Sequence, residues 1–224
     1  LGEPALYDVC ATLSYRGEVV DERRFAFGVR TVRLVRTDTT DAQGSGEFCF
    51  FVNGEKTYIR GTNWVPLDTF HSRDAERLDK ALALLWESNC NMVRCWGGGV
   101  YEDHAFFDFC DRHGILVWQD FAMGCATYPQ NEEFQRKIAH EVETIVKKLR
   151  RHPSIALWAG DNECVVAAAY WEIVSGDPNE NRITRVTIPE VLRRVDPWRD
   201  FLPSSPYVSR AVYASGDPNR MPED

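Results

Sequence analysis

The chain has 224 residues, 44% hydrophobic and 27% charged, a composition typical of soluble globular proteins and not of disordered or fibrous ones. Its formal net charge of -8 disfavours a nucleic acid as partner, because affinity for phosphate chains comes mainly from clustered Lys and Arg. The sequence contains no stretch of about 18 apolar residues, so no transmembrane helix is predicted.

The spacing of the cysteines and histidines predicts neither a disulfide framework nor a metal site. The cysteines are odd in number and include no CxxC pair: Cys10, Cys49, Cys90, Cys95, Cys110, Cys125 and Cys164. The histidines are scattered without ligand spacing: His71, His104, His113, His140 and His152. We therefore expect free thiols, which favours a cytoplasmic location, and no signal peptide is recognisable in the first residues.

The first fifth of the chain has the pattern of antiparallel β-structure. Residues 7–35 alternate apolar and polar side chains with a period of two, which is typical of strands with one buried face and resembles the end of a β-sandwich. Residues 38–47 have the Gly, Ser, Asp and Thr content of a linker. The two apolar runs on either side of Asn53-Gly54 then predict a hairpin.

From Ile59 onward, strand-like and helix-like segments alternate, which is typical of parallel βαβ units. The candidate strands are YIRGTN, NMVRCW, ILVWQDF and SIALWAGD, and the helices that follow them are predicted at residues 73–88, 102–112, 132–151 and 163–174. A helix at residues 188–195 and a short strand near Phe201-Leu202 complete the series. We predict a partial (β/α)8 barrel that stops after about strand five, since a complete barrel takes about 250 residues.

The candidate catalytic residue lies where the fourth barrel strand ends. Barrel enzymes carry their reacting groups at the C-terminal ends of the strands, and Glu163 follows the apolar run IALWAG. A partly shielded carboxyl group at this place suits a general acid for glycoside cleavage. The alternative interpretation is that Glu163 lies at the N-terminus of a helix and is stabilised by the helix dipole. The spacing alone does not decide between these two interpretations.

The segment WAGDNE is similar to the tryptophan, glycine, asparagine and glutamate signature of family 2 glycoside hydrolases, in which the last glutamate is the acid/base. Four further segments resemble the β-mannosidase branch of that family: RGTNWVPLDTF, NMVRCWGGGVYE, FFDFCDRHGILVWQDFAMGCATYP and FLPSSPY. The resemblance runs almost end to end. It implies that residues 1–44 end an immunoglobulin-like β-sandwich and that residues 45–224 begin a glycosidase TIM barrel.

The same resemblance implies roles for seven residues and needs no cofactor. Glu163 is the acid/base, and Asn162 beside it binds the sugar 2-hydroxyl, where contacts tighten in the oxocarbenium-like transition state. Trp96 and Trp171 line the sugar subsite, although core packing is the alternative for each indole. A retaining glycosidase also needs a nucleophile, which the family carries on strand seven.

Three weaker candidates lie at the ends of two other predicted strands. Asp120 binds sugar hydroxyls in this interpretation; its alternative is an internal ion pair with Arg94 or Arg60, because a charge within a barrel strand needs a partner. Asn63 and Trp64 shape the floor of the pocket, or form a turn before a proline.

The sequence departs from the family pattern at Asp161, and no residue in it matches the family's nucleophile. Asp161 stands where the family has a second Asn or a similar small polar residue, so it either repels the charge of Glu163 or turns away from it. Glu180, Glu190 and Glu223 do not resemble the nucleophile in context. We therefore expect the isolated chain to be inactive, less stable than the full enzyme, and able to dimerise through exposed strand edges.

Three alternative functions stay open at this point. β-Galactosidases share the Asn-Glu ending, but their first barrel strand normally ends in a histidine-containing segment, whereas this chain has GTNWVPLDTF. Exo-β-glucosaminidases place extra acidic residues near the acid/base, and Asp161 fits that pattern. The third alternative is a non-catalytic carbohydrate-binding module with a barrel-like architecture.

Overall fold

A computed structural model describes residues 3–37, 46–170 and 176–216, and within these ranges it contains ten strands and six α-helices. Strands β1 (Tyr7–Tyr15) and β2 (Glu18–Phe27) pair as an antiparallel hairpin whose side chains are mostly exposed on both faces. No helix in the described ranges has both the length and the hydrophobicity that crossing a bilayer requires.

A small antiparallel sheet follows, made of β3 (Val32–Arg36), β4 (Phe48–Val52) and β5 (Glu55–Thr57). The predicted hairpin is confirmed: Asn53 and Gly54 connect β4 to β5 with φ values of 51° and 82°, the left-handed pair that a two-residue turn requires. Because β3 pairs with β4, this sheet joins residues from both sides of the boundary expected at 44/45. The division into two domains stays a prediction.

The main sheet has five parallel strands in chain order, within the part of the chain that the structure describes. They are β6 (Gly61–Trp64), β7 (Met92–Cys95), β8 (Leu116–Asp120), β9 (Ile155–Ala159) and β10 (Asp200–Leu202). All five strands were predicted: β7, β8 and β9 with slightly wider limits, β6 with limits that begin and end earlier in the chain, and β10 with narrower limits. Neighbouring parallel strands joined by helices make up five consecutive strands of a barrel, so the predicted partial barrel is confirmed.

A helix follows each of these strands, and all the helices but the last contribute buried side chains to one apolar layer against the sheet. They are α1 (Ala75–Glu87), α2 (His104–His113), α3 (Glu132–Leu149), α4 (Cys164–Tyr170), α5 (Ile188–Val195) and α6 (Arg210–Ser215). The side chain of Asn131 caps α3 by accepting from Phe134 N at 2.9 Å, and Gly114 ends α2 at a φ of 66°. The sequence did not predict α6, and the last part of the helix expected at 163–174 lies outside the described residues.

Two apolar layers fill the two faces of the main sheet. The layer on the helix side includes Val93, Val117 and Trp158, together with a stripe on α3 at helical spacing: Ile138, Val142, Val146 and Leu149. The layer on the other face joins Trp118 of the main sheet to Phe48 and Phe50 of the small sheet, and the rings of Phe48 and Trp118 stack with centroids 6.0 Å apart. The small sheet therefore covers the inner face of the partial barrel.

Candidate active site

Three chain segments lie side by side where β8, β9 and β10 end. Isolated parallel bridges join Gly124 to Asn162 and Asn162 to Ser205, and Glu163 N donates to Ser205 O at 2.9 Å. Gly160 is needed for this close approach, since a Cβ atom there would lie 2.1 Å from Pro203 O. The backbone that carries Glu163 is thus fixed from both neighbouring strands.

Glu163 occupies a left-handed backbone conformation, with a φ of 63°. This conformation is unfavourable for a residue with a side chain and concentrates at functional sites, where it costs about 1–3 kcal/mol. The half-buried carboxyl group accepts a hydrogen bond at Oε2 from the Cys125 thiol, 3.1 Å away, and its carbonyl oxygen accepts from Ala167 N in α4. Glu163 therefore begins α4 through its backbone, while its carboxyl group turns towards the loop after β8.

Asn162 is buried and is held by side chains from β7 and from the segment after β8. Its Oδ1 accepts from Arg94 Nη2 at 2.9 Å, and its Nδ2 donates to Cys125 Sγ at 3.4 Å. The guanidinium group of Arg94 in turn bonds both oxygens of Asp120, at 3.3 Å and 2.7 Å. A chain of hydrogen bonds thus runs from Asp120 through Arg94 and Asn162 to Cys125 and Glu163.

Asp120 is 1% exposed and accepts from four donors, which include Gly97 N and the Trp118 indole at 2.9 Å each. Burial raises the pKa of this carboxyl to about 6, although the nearby Arg94 guanidinium opposes the shift. The ion pair with Arg94 that the sequence offered as an alternative is present, whereas Arg60 lies exposed before β6 and donates to Asn89 instead of to a carboxylate. Asp120 therefore orients Arg94 and the loop after β7.

Asp161 turns away from Glu163. Its Oδ1 accepts from Ser204 Oγ at 2.5 Å and from Cys164 N at 3.1 Å, while Oδ2 is buried without a hydrogen-bond partner among the described residues. Burial raises the pKa of Asp161 to about 7. The sequence left two possibilities for Asp161: repulsion of the charge of Glu163, or bonds to other groups. The geometry favours the second.

The three remaining site candidates that the structure describes, Trp96, Asn63 and Trp64, occupy different environments. Trp96 is half-buried after β7, and its ring lies against Gly98, where a Cβ atom would come within 2.2 Å of the indole. Asn63 is exposed and lines a cavity of about 900 Å³ together with Arg94 and Trp118. Trp171 lies outside the described residues. Of the seven candidates, Glu163, Asn162 and Asp120 therefore belong to one bonded network.

Trp64 belongs to the helix-side core. Its indole packs against Phe106 with ring centroids 4.9 Å apart and donates from Nε1 to Glu102 Oε1 at 2.8 Å. Burial raises the pKa of Glu102, so this bond satisfies a carboxyl group that is largely removed from water. The contacts favour packing over sugar binding for Trp64.

We expect Trp64→Phe to lower the free energy of unfolding of this chain by about 1–3 kcal/mol, because the buried Glu102 carboxyl loses its donor. Urea denaturation checks this value. The matched control is Trp198→Phe, since the Trp198 side chain is 87% exposed and its replacement should change stability little. Equal stability of both variants would contradict the role given to the Trp64–Glu102 bond.

One group of side chains at the opposite end of the main sheet has a spacing that a metal ion could bridge. One ligand atom each from Asp108, Asp111 and His152 lies within 4.8 Å of the others. His152 is buried and already bonds Asp111 at 2.6 Å and His104 at 2.9 Å, and Arg151 pairs with Asp108 at 3.6 Å. Hydrogen bonds and ion pairs account for this group, which the scattered histidines of the sequence did not predict.

Sequence reasoning did not single out Cys125 and Ser204 as members of the site. Both follow strand ends, at the same sheet edge as Glu163, and that position is the signal that could have identified them. Their side chains bond the two acidic residues that flank Asn162. The link from Arg94 to Asn162 was also not predicted, because it depends on how β7 and β9 are spaced across β8.

The chain matches the profile described as glycosyl hydrolases family 2, TIM barrel domain, over residues 46–185. It is 42% identical over 163 residues to beta-mannosidase B of Thermothelomyces thermophilus, covering 72% of this chain and 19% of that protein. It is 34% identical over 219 residues to beta-mannosidase B of Aspergillus terreus, covering 92% of this chain and 26% of that protein. The chain therefore spans about a quarter or less of the curated relatives it matches.

Solved structures show the same likeness. The crystal structure of beta-D-mannosidase from Dictyoglomus thermophilum superposes with a TM-score of 0.82 at 36% identity, over 95% of this chain and 26% of that chain. The structure of beta-glucuronidase 3 from Bacteroides uniformis gives a TM-score of 0.68 at 21% identity, over 88% of this chain and 23% of that chain. The second likeness extends to the fold alone.

Proposed function

Because this chain belongs to family 2 of the glycosyl hydrolases through its TIM barrel domain, we propose that the protein containing it is a retaining β-mannosidase. It removes terminal, non-reducing β-D-mannose residues with Glu163 as the acid/base. The observation that carries this proposal is the position of Glu163: a half-buried carboxyl group at the end of β9, fixed by neighbouring strand ends and bonded to a network that includes Asn162. The identity to β-mannosidases of several organisms supports the choice of sugar.

The proposed mechanism assigns the proton transfer to Glu163. In the first step its carboxyl group protonates the leaving oxygen, and in the second its carboxylate takes a proton from water. Asn162 binds the 2-hydroxyl group of the sugar, and its orientation comes from Arg94, which donates to its Oδ1. The nucleophile, a second carboxylate about 5–5.5 Å from the first in retaining enzymes, comes from a part of the protein outside this chain.

The sugar subsite in this proposal is built from aromatic and amide side chains. Trp96 and Trp171 are the indoles assigned to the C–H side of the pyranose, and Asn63 offers an amide from β6. Asp120 acts on the sugar indirectly, because its oxygens are already occupied by Arg94, Gly97 and Trp118. Trp64 contributes by packing.

An exo-β-glucosaminidase is the second candidate function, since Asp161 supplies an extra acidic residue beside the acid/base. Recognition of an ammonium group needs a carboxylate that faces the substrate. The carboxyl group of Asp161 is instead buried and bonded to Ser204, which supports the mannosidase assignment.

The test is hydrolysis of 4-nitrophenyl β-mannoside by the full-length protein that contains this chain, compared with the corresponding β-glucosaminide, β-galactoside and β-glucuronide. We expect kcat/KM to be highest for the mannoside by at least about tenfold, because the contacts to the sugar hydroxyls are specific. A preference for another glycoside would overturn the sugar assignment and leave the family unchanged. Binding of mannose without any turnover would favour the non-catalytic alternative.

Three further properties are proposed. The isolated chain is inactive, and it dimerises through the edges of β6 and β10, which the missing strands of a complete barrel would cover. The protein works in a reducing compartment, a proposal supported by its seven free cysteines. An assay of the isolated chain on the mannoside tests its inactivity, and its mass in solution tests dimerisation. A count of reactive thiols tests whether the cysteines are free.

A further inference from the structure

Cys125 is the one side chain in the described residues that donates a hydrogen bond to the Glu163 carboxyl group. The distance from Sγ to Oε2 is 3.1 Å, and the same sulfur accepts from Asn162 Nδ2 at 3.4 Å. The donor direction is fixed on both sides, since an amide nitrogen can only donate and the thiol hydrogen is then free for the carboxylate. Cys125 is exposed, but partial desolvation and the bond to Glu163 raise the pKa of its thiol, so it carries its hydrogen at neutral pH.

The backbone on both sides of this contact is held in an unusual conformation. Cys125 has a φ of 51° and Glu163 a φ of 63°, so two residues with side chains adopt left-handed geometry opposite each other. Cys125 N donates to Asn162 O at 2.8 Å, and Asn162 N donates to Met123 O at 3.0 Å. Such strain persists only when the surrounding structure imposes it. These backbone hydrogen bonds join the segments after β8 and β9, and they place the thiol of Cys125 next to the carboxyl group of Glu163.

We propose that Cys125 is a positioning residue for the acid/base: its thiol binds Oε2 of Glu163 and leaves Oε1 to exchange the proton with the leaving group. This inference rests on the proposed role of Glu163. Among the described residues no donor lies on Oε1, so only Oε2 is held by the protein. Fixing one carboxyl oxygen sets the direction of the other, and this orientation matters because proton transfer needs hydrogen-bond distance to the reacting oxygen.

Other charged groups at this edge of the sheet are engaged with each other. Arg94 on β7 and Asp120 on β8 form a buried ion pair, and Asp161 after β9 bonds Ser204 after β10. Cys164, the first residue of α4, donates from its backbone nitrogen to Asp161. Removing the thiol therefore takes away the donor to Glu163 and the acceptor of Asn162 Nδ2, and it leaves these pairs in place.

The experiment measures kcat/KM of the full-length protein and its Cys125→Ala and Cys125→Ser variants on two substrates. Phenyl β-mannoside has a poor leaving group and depends on protonation, whereas 2,4-dinitrophenyl β-mannoside depends on it little. We expect Cys125→Ala to lose roughly tenfold on the phenyl substrate and about twofold or less on the dinitrophenyl substrate. Cys125→Ser keeps a donor and should recover most of the loss. Cys10→Ala, an exposed thiol on β1, is the matched control.

The pH profile gives a second readout that a structural role would not move. A donor to the carboxylate favours its charged form, so in Cys125→Ala the alkaline limb of kcat/KM should shift to higher pH, and in Cys125→Ser it should return towards the original position. Equal losses on both substrates, or an unchanged limb in the alanine variant, would overturn the inference. If Glu163→Gln kept full activity, the proposed function itself would fail, whatever the cysteine variants show.

Discussion

Replacing Glu163 with glutamine should lower kcat/KM of the full-length protein on phenyl β-mannoside by roughly 10²- to 10⁴-fold, the range that general acid catalysis contributes. Glutamine keeps the size of the side chain and an oxygen that can accept from Cys125, but its amide hydrogens are not acidic enough to protonate the leaving oxygen. The loss on 2,4-dinitrophenyl β-mannoside should be much smaller in kcat/KM, because that leaving group departs without protonation.

Two controls separate this result from a general loss of structure. Glu190→Gln changes an exposed glutamate on α5 in the same way and should retain normal activity. Glu163→Ala should regain turnover when azide is added, because azide attacks the glycosyl-enzyme without needing a general base, and the product is the mannosyl azide. Activity of Glu163→Gln within about threefold of the unmodified protein on both substrates would remove Glu163 from the catalytic role.

Asp161→Asn should stabilise the chain increasingly as pH rises. The folded-state pKa of Asp161 is about 7, above the ordinary value of 3.8, so the folded state binds its proton more tightly than the unfolded state. The stability that this group contributes is therefore fully present below about pH 4 and is lost as pH rises through about 7. Asparagine keeps an acceptor for Ser204 and carries no charge, so the difference between the two proteins grows across this window by up to about 4 kcal/mol.

Urea unfolding of both proteins at about pH 4, 6 and 8 measures this difference, and its pH dependence isolates the ionisation from any change in packing. Asp79→Asn, a change in an exposed aspartate on α1, is the matched control and should show no growth with pH. If the difference in unfolding free energy between Asp161→Asn and the unmodified chain were the same at every pH, Asp161 would titrate alike in the folded and unfolded states.

Local patterns predicted the secondary structure closely. The alternation of short apolar runs with amphipathic segments placed β6 to β10 and the helices between them, because a parallel strand buried on both faces is continuously apolar and a covering helix repeats every 3.6 residues. The start of α3 at Asn131 and the end of α2 at Gly114 follow capping chemistry, which depends on neighbours in the sequence. The short helix α6 has no comparable pattern and was not predicted.

Residues close together along the chain were enough to predict that Glu163 lies at a strand end, beside Asn162 and within the family signature. Which side chains meet follows from the folded structure alone. Arg94 reaches Asn162 across 68 positions and Cys125 reaches Glu163 across 38, because parallel strands bring their C-terminal ends to one edge of a sheet. The folded structure likewise turns Asp161 towards Ser204 and Trp64 towards Glu102, because buried polar groups are in general hydrogen-bonded.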